Sequence, residues 1–384
     1  MSMKKRMTKM VSAMLIAAMT ATMVVGCGSS DKKEEGGSSS GSTTQAAADT
    51  SSVMSHEEII KKAAADGKVG NWGLGNEYEV LALLAKYGLP TEYLSEDFTM
   101  DGFDDDSITL ASAMTYNELG LTKNDYEGGY GYGDTVGYID MNDEGVAMLE
   151  DNIFCSKTFA KENPETVKAF LYASLKGWEY AVENPDEAAQ ICFEAGSSVS
   201  QDHQSYMAGE VAKLVSTDMN GNAVTDDIGK INTDAMQQTL DIAKQYVTLD
   251  DSAAQEAFSK LTLDDICDSS FYDEAKASDG KFNVEKSEVS IQLKWLPQAQ
   301  FMGYFVADAK GYYDEVGLKV NIVSGGGDIS ETTAVNNGTV DFGVTWPTNM
   351  AVADAGGMDL VEIAQIYQRS GLTLVYKYDN FKAE

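Results

Sequence analysis

Several short stretches of this 384-residue chain set an aromatic ring close to amide or carboxylate groups. Trp72 precedes Asn76 and Glu77; Tyr116 adjoins Asn117 and Glu118; Trp295 precedes Gln298, with Phe301 and Tyr304 beyond it. Trp346 stands alone, and Tyr367 is followed by Gln368. Ring faces of this kind stack on a flat aromatic ligand, while amides and carboxylates match its donors and acceptors. The chemistry implied is reversible capture. The only histidines, His56 and His203, fall outside these stretches, which counts against Ser-His catalysis and zinc chemistry. No enzyme activity, cofactor or metal is expected. Asp140–Gly145 has the start of a calcium loop, but Glu144 at position five and Asp151 at position twelve depart from the pattern.

The elements that must hold these residues are strands running into glycine-rich or aromatic turns. Val289, Ile291 and Leu293 alternate as a strand that ends at Trp295, and Pro297 suits the first turn of the helix expected to reach Ala309 and stop at Gly311. Leu318, Val320 and Ile322 form the next strand, running into Ser324–Asp328, whose three glycines read as a tight turn on the ligand side. A helix Ile329–Asn336 and strands Val340–Val344, Val361–Ile366 and Thr373–Tyr378 complete this block. Earlier in the chain, Ser55-His56-Glu57-Glu58 reads as a capped helix start. Lys68–Asn71 is a short strand entering a glycine turn, followed by a helix carrying Val80, Leu81, Leu84 and Tyr87 and stopping at Gly88. Ser107–Met114 is a strand, and from Asn163-Pro164 onward the pattern is helical. Repeated β-α-β units predict an α/β fold with doubly wound, mostly parallel sheets, which bind small ligands beyond the carboxyl ends of their strands.

The formal charge of −33 repels polyanions and argues against nucleic-acid binding. Lys4, Lys5, Arg6 and Lys9 precede an apolar run, Met10–Val25, which ends in Val24-Val25-Gly26-Cys27. This reads as a lipoprotein signal over 1–26, with Cys27 as the lipidation site and 27–55 as a flexible polar tether. Removing the signal takes away those four positive charges and no negative ones, turning −33 into −37. Cys155, Cys192 and Cys267 are expected as buried thiols, with a Cys192–Cys267 disulfide as the alternative.

The stretch KWLPQAQFMGYFVADAKGYYDEVGL (294–318), with DFGVTWP (341–347), AQIYQRSG (364–371), NWGLGNEYEVLALL (71–84) and MTYNELG (114–120), resembles the thiamine-pyrimidine/riboflavin/sulfonate type (SsuA/THI5-like) of solute-binding protein. The resemblance covers nearly all of the chain beyond the tether. It implies a two-lobed periplasmic-binding-protein-like (type II) fold joined by a hinge, with the aromatic and amide residues named above in the pocket. It also implies capture of a riboflavin- or thiamine-precursor-like heterocycle for the permease subunits of an ABC importer. The place would be the outer face of a bacterial cell membrane, held there by the lipid. The alternatives are a sulfonate- or taurine-type solute, or an extracellular sensor lipoprotein without a transport role. In this order 66–155 is lobe II, 156–267 the helical part of lobe I, 268–287 a linker and 288–380 the α/β part of lobe I. The family's order has the last block first, so the two halves are expected to be circularly permuted. Phe381 should then lie near the start of the Lys68 strand.

Overall fold

The computed structural model describes residues 52–383. The expected signal, Cys27 and nearly all of the tether lie outside the described residues. Among the described residues ten strands form sheets of two, three and five strands, the first two of them linked in lobe II. In lobe II, β1 (Gly70–Asn71) pairs in parallel with β2 (Leu94–Ser95). A parallel bridge from Val69 to Leu110 joins this pair to β3 (Ala111–Met114). Beyond β3 come β10 (Leu372–Lys377) and β4 (Val136–Asp140), with β10 antiparallel to both. Lobe I has the order β7 (Lys319–Val323), β6 (Glu288–Gln292), β8 (Phe342–Gly343), β5 (Asn152–Ser156), β9 (Leu360–Gln365). Here β6 runs parallel to β7 and β8, and β5 is antiparallel to its neighbours.

The two sheets thus share one plan, in which a single antiparallel strand is lent by the other half of the chain. β5 follows lobe II in sequence yet lies in the lobe I sheet, and β10 does the reverse. The chain crosses twice, through 141–151 and 366–371. This exchange makes the fold a two-lobed, periplasmic-binding-protein-like α/β structure with its cleft beside the crossovers. It also means that the 66–155 and 288–380 blocks each carry one strand of the opposite sheet.

Lobe I is built on helix packing at backbone contact. Helix Pro164–Glu183 has its proline in the first turn and buries Phe170, Leu171, Leu175 and Trp178. It crosses helix Met302–Ala309 at Gly177 and Gly303. A Cβ on Gly177 would stand 2.1 Å from the Gly303 carbonyl oxygen, and one on Gly303 would stand 2.1 Å from the Trp178 ring. The absent side chains let the helices meet and lock the segment leading into Met302.

The 268–287 segment is more ordered than its polar sequence implies. Helix Ser270–Ala277 buries Tyr272 and Ala275, and Glu285 accepts the Thr166 N–H at 2.9 Å and the Glu165 N–H at 3.2 Å, capping helix Pro164–Glu183. At the other end, Ser55 and Glu58 form the expected capping box. The chain's two described ends meet: the Met54 N–H donates to the Phe381 carbonyl at 2.9 Å, and Val53 bridges Lys382. Lys68 and Lys377 both reach Asp106, one at its carbonyl and one at its carboxylate. Cys155 and Cys192 are buried free thiols and Cys267 is a half-buried one.

Candidate functional site

Between the lobes lies a cavity of about 700 Å³, within the ~300–1,000 Å³ range usual for small-molecule sites. Its walls are the turns that follow strands. Trp72 follows β1, Phe98 lies beyond β2, and Tyr116, Asn117 and Glu118 follow β3; Lys294 and Trp295 follow β6, and Trp346 follows β8. Three of the chain's four tryptophans therefore face one space.

The lobe I wall is set by a chain of close contacts. The Gly325 N–H donates to the Trp295 carbonyl at 2.9 Å. A Cβ on Gly325 would sit 2.1 Å from the Leu293 carbonyl, so the glycine turn must rest directly on the segment that bears Trp295. Pro297 does not open a helix as its position implied. The Ala299 N–H instead donates to the Gln204 side chain at 2.7 Å, and Gln298 donates to Gln300 at 2.8 Å. These tertiary bonds hold Gln298 extended, and a 3-10 turn, Ala299–Phe301, precedes the helix.

Asp151 is the joint between the cavity and the crossover. It is buried and has a positive φ of 33°. One carboxylate oxygen accepts the Trp346 indole N–H at 3.0 Å, and the other accepts from Gln300 at 2.8 Å. Burial pushes this carboxyl up to about 7, against the pull of Gln300, Lys294 and Trp346. Across the cavity, Glu118 accepts the Met114 N–H at 3.0 Å and the Asn117 amide at 2.6 Å. Burial raises it to about 7 as well. The Lys294 ammonium lies 3.3 Å from Glu331 and 4.5 Å from the centre of the Trp346 ring.

Of the thirteen expected ligand-binding residues, Trp72, Tyr116, Asn117, Glu118, Trp295, Gln298 and Trp346 line this cavity. The other six stand behind or beside it. Phe301 and Tyr304 are core, the latter edge-on to Trp178 at 5.5 Å. Tyr367 meets Tyr116 edge-on at 5.9 Å and donates to the Gln300 carbonyl at 3.1 Å, so it buttresses the wall. Gln368 donates to the Lys230 carbonyl at 3.0 Å. Asn76 is buried beside Met114, and Glu77 accepts the Gly75 N–H at 2.7 Å in an adjoining space.

Other wall residues went unread. Lys294 and Gln300 lie within the 294–304 stretch but are not among its expected ligand-binding residues. Ser197–Gln201 and His203 come from the helical region, where nothing in the pattern points inward. His203, expected outside the pocket, lines it and stacks on Tyr126 at 5.2 Å; burial pushes its pKa down to about 4, so it is neutral near pH 7. Arg369 is paired with Asp140 at 3.0 Å and does not line the cavity. No cluster of metal-ligating side chains occurs among the described residues.

Paired sheets with one exchanged strand each, closing aromatic and amide groups around an interlobe cavity, define a two-lobed small-molecule binding protein. The family comparison is specific. Residues 47–188 and 298–381, more than half of the chain, match the family described as NMT1/THI5 like, and the chain belongs to it. Over 60 residues it is 37% identical to a formylaminopyrimidine-binding protein of Halalkalibacterium halodurans, a match covering 15% of this chain and 18% of that relative.

Proposed function

We propose that this protein is the extracytoplasmic solute-binding component of an ABC importer, capturing a small aromatic nitrogen heterocycle by closure of its lobes. The carrying observation is the cavity wall: Trp72, Trp295, Trp346 and Tyr116 stand around buried Glu118, Gln298 and Gln300 and half-buried Asn117. Flat faces favour a conjugated ring, and the carboxylate and amides pair with ring nitrogens and amino groups. A pyrimidine related to the ligand in the relative's name, or a flavin, fits this chemistry. A sulfonate fits it less well, because Arg369 is held by Asp140 and the Gly75 N–H by Glu77. The Cys27 lipid anchor and the permease partners belong to the same proposal.

The halves are further proposed to be circularly permuted. The contact of Met54 with Phe381 supports this, since joined ends would need only a short bridge there. Thermal unfolding with riboflavin, a thiamine pyrimidine precursor and taurine in turn tests the function. A ligand at a hundred times its Kd adds about 2.7 kcal/mol of stability. Stabilisation by a heterocycle and not by taurine is expected; stabilisation by taurine alone would overturn the reading.

A further inference from the structure

A second chamber of about 530 Å³ adjoins the first, and the two share Leu74, Lys294 and Trp295 as walls. A single six-membered ring is held by a cavity of about 150 Å³. The first chamber alone therefore exceeds the needs of one ring several-fold, and the second lies directly past the tryptophan on which a ring would rest. We infer that the ligand has two parts: a flat ring in the larger chamber and an uncharged, hydroxyl-bearing arm that passes Trp295 into the smaller one. This inference rests on the heterocycle-binding reading.

The lining of the second chamber argues for that arm. Gly326 and Gly327 form its approach; a Cβ on Gly326 would meet nothing within 4 Å, and one on Gly327 would touch the Trp295 ring at 3.6 Å, so the missing side chains leave the passage open. The Thr332 hydroxyl, 3.2 Å from a Ser330 hydroxyl that is itself committed to Thr333 as the cap of the next helix, can both donate to and accept from an alcohol. Val352 and Ala353 supply an apolar floor for a carbon chain.

The charges argue against an anionic arm. Glu77 and Glu331 both line this chamber. Its one cation, Lys294, is engaged by Glu331 and by the face of Trp346. The Gly75 N–H at the helix start is already taken by the Glu77 carboxylate. A phosphate would enter beside two carboxylates with no uncommitted donor charge to meet it.

Calorimetric titration of the purified protein with four compounds tests this. Lumichrome has the flavin ring without the arm, riboflavin carries a polyhydroxylated arm, and riboflavin 5′-phosphate adds a terminal phosphate. The fourth is 4-amino-5-hydroxymethyl-2-methylpyrimidine, a single ring. The expected result is riboflavin binding at least about tenfold more tightly than lumichrome, the equivalent of roughly 1.4 kcal/mol, with the phosphate weaker than riboflavin. Thr332→Val should narrow the gap between riboflavin and lumichrome. Equal binding of lumichrome and riboflavin, or tighter binding of the single-ring pyrimidine, would overturn the two-part ligand while leaving the heterocycle reading intact. A phosphate ester as tight as riboflavin would overturn the uncharged arm. Failure of all four would sink the heterocycle reading and this inference together.

Discussion

The two sheets follow one plan, but the lobes hold their halves of the cavity by different means. Lobe I backs its wall with long helices at backbone contact, and its fully buried side chains include Trp178, Tyr304, Tyr313 and Phe170. In lobe II, Val80, Leu83, Leu110 and Ile139 join the main core, the rest packs in a small separate cluster around Met100, Phe103 and Ile108, and two of its strands are two residues long. Its wall is mostly turns, among them Gly73-Leu74-Gly75, all three with positive φ. Lobe I thus presents Lys294–Gln300 and Trp346 from a braced frame, while lobe II brings up Trp72, Phe98 and the Tyr116–Glu118 turn. Contacts between them include the stacking of Tyr126 on His203 and polar bonds to turns of lobe II. Asn349 donates to the Leu74 carbonyl at 3.0 Å, Tyr206 donates to the Thr115 carbonyl at 2.8 Å, and Phe98 meets Trp295 at 4.9 Å. This unequal bracing fits the closure of the lobes proposed above.

The contrast breaks most severely in the frame. Gly303→Ala drives a methyl into the Trp178 ring and should cost about 1–3 kcal/mol, read as a lower denaturant midpoint. Gly102→Ala in lobe II meets its neighbours only at 3.3 Å and should stay within about 1 kcal/mol of the parent, since alanine favours the helix there. Equal losses would show that the lobes are equally braced.

Ligand affinity should be next in size. Removing a stacking face costs about 1–3 kcal/mol. Trp346→Ala should lose more than Trp72→Ala, because it also takes away the indole donor to buried Asp151. Titration of each variant with the same heterocycle checks the order.

A smaller effect should follow pH. Burial raises Asp151 and Glu118 to about 7 and Glu79 and Glu362 to about 8, all above their ordinary values. Between the ordinary and the raised value each group binds more protons folded than unfolded, so stability falls as pH rises through that window. The melting temperature should be higher near about pH 5.5 than near about pH 8. Asp151→Asn should flatten the dependence while keeping a partner for Gln300 or Trp346. The smallest expected change is Phe98→Ala, an exposed rim residue. Stability should move by about 0.5 kcal/mol or less, with faster ligand release in stopped-flow traces.

The sequence made eight of the ten described strands legible, because their apolar residues alternate or cluster before a turn, but not β2, which is two exposed residues, nor β4, which lies between glycine-rich and acidic turns. It did not show which sheet each strand joins. Asn152–Cys155 reads as a strand returning across the lobes, as β5 does, but β10 is as apolar as its neighbours and only the crossover geometry sends it to the other lobe. Site residues read well where strand and turn adjoin, as with Trp295, Trp346 and Tyr116. They read poorly where a helix phase decides, as with Phe301 and Tyr304, whose ring types suit a core as well as a pocket. Asp151 was seen only as the wrong residue for a calcium loop; its role depends on Trp346 and Gln300, which lie 195 and 149 positions away.

Titration of intrinsic tryptophan fluorescence tests the central claim most directly, because Trp72, Trp295 and Trp346 line the cavity and Trp178 alone is core. A saturable one-to-one change with an aromatic nitrogen heterocycle, reduced by Trp346→Ala and absent with taurine, is the predicted result. A saturable response to taurine with none to any heterocycle would contradict the account.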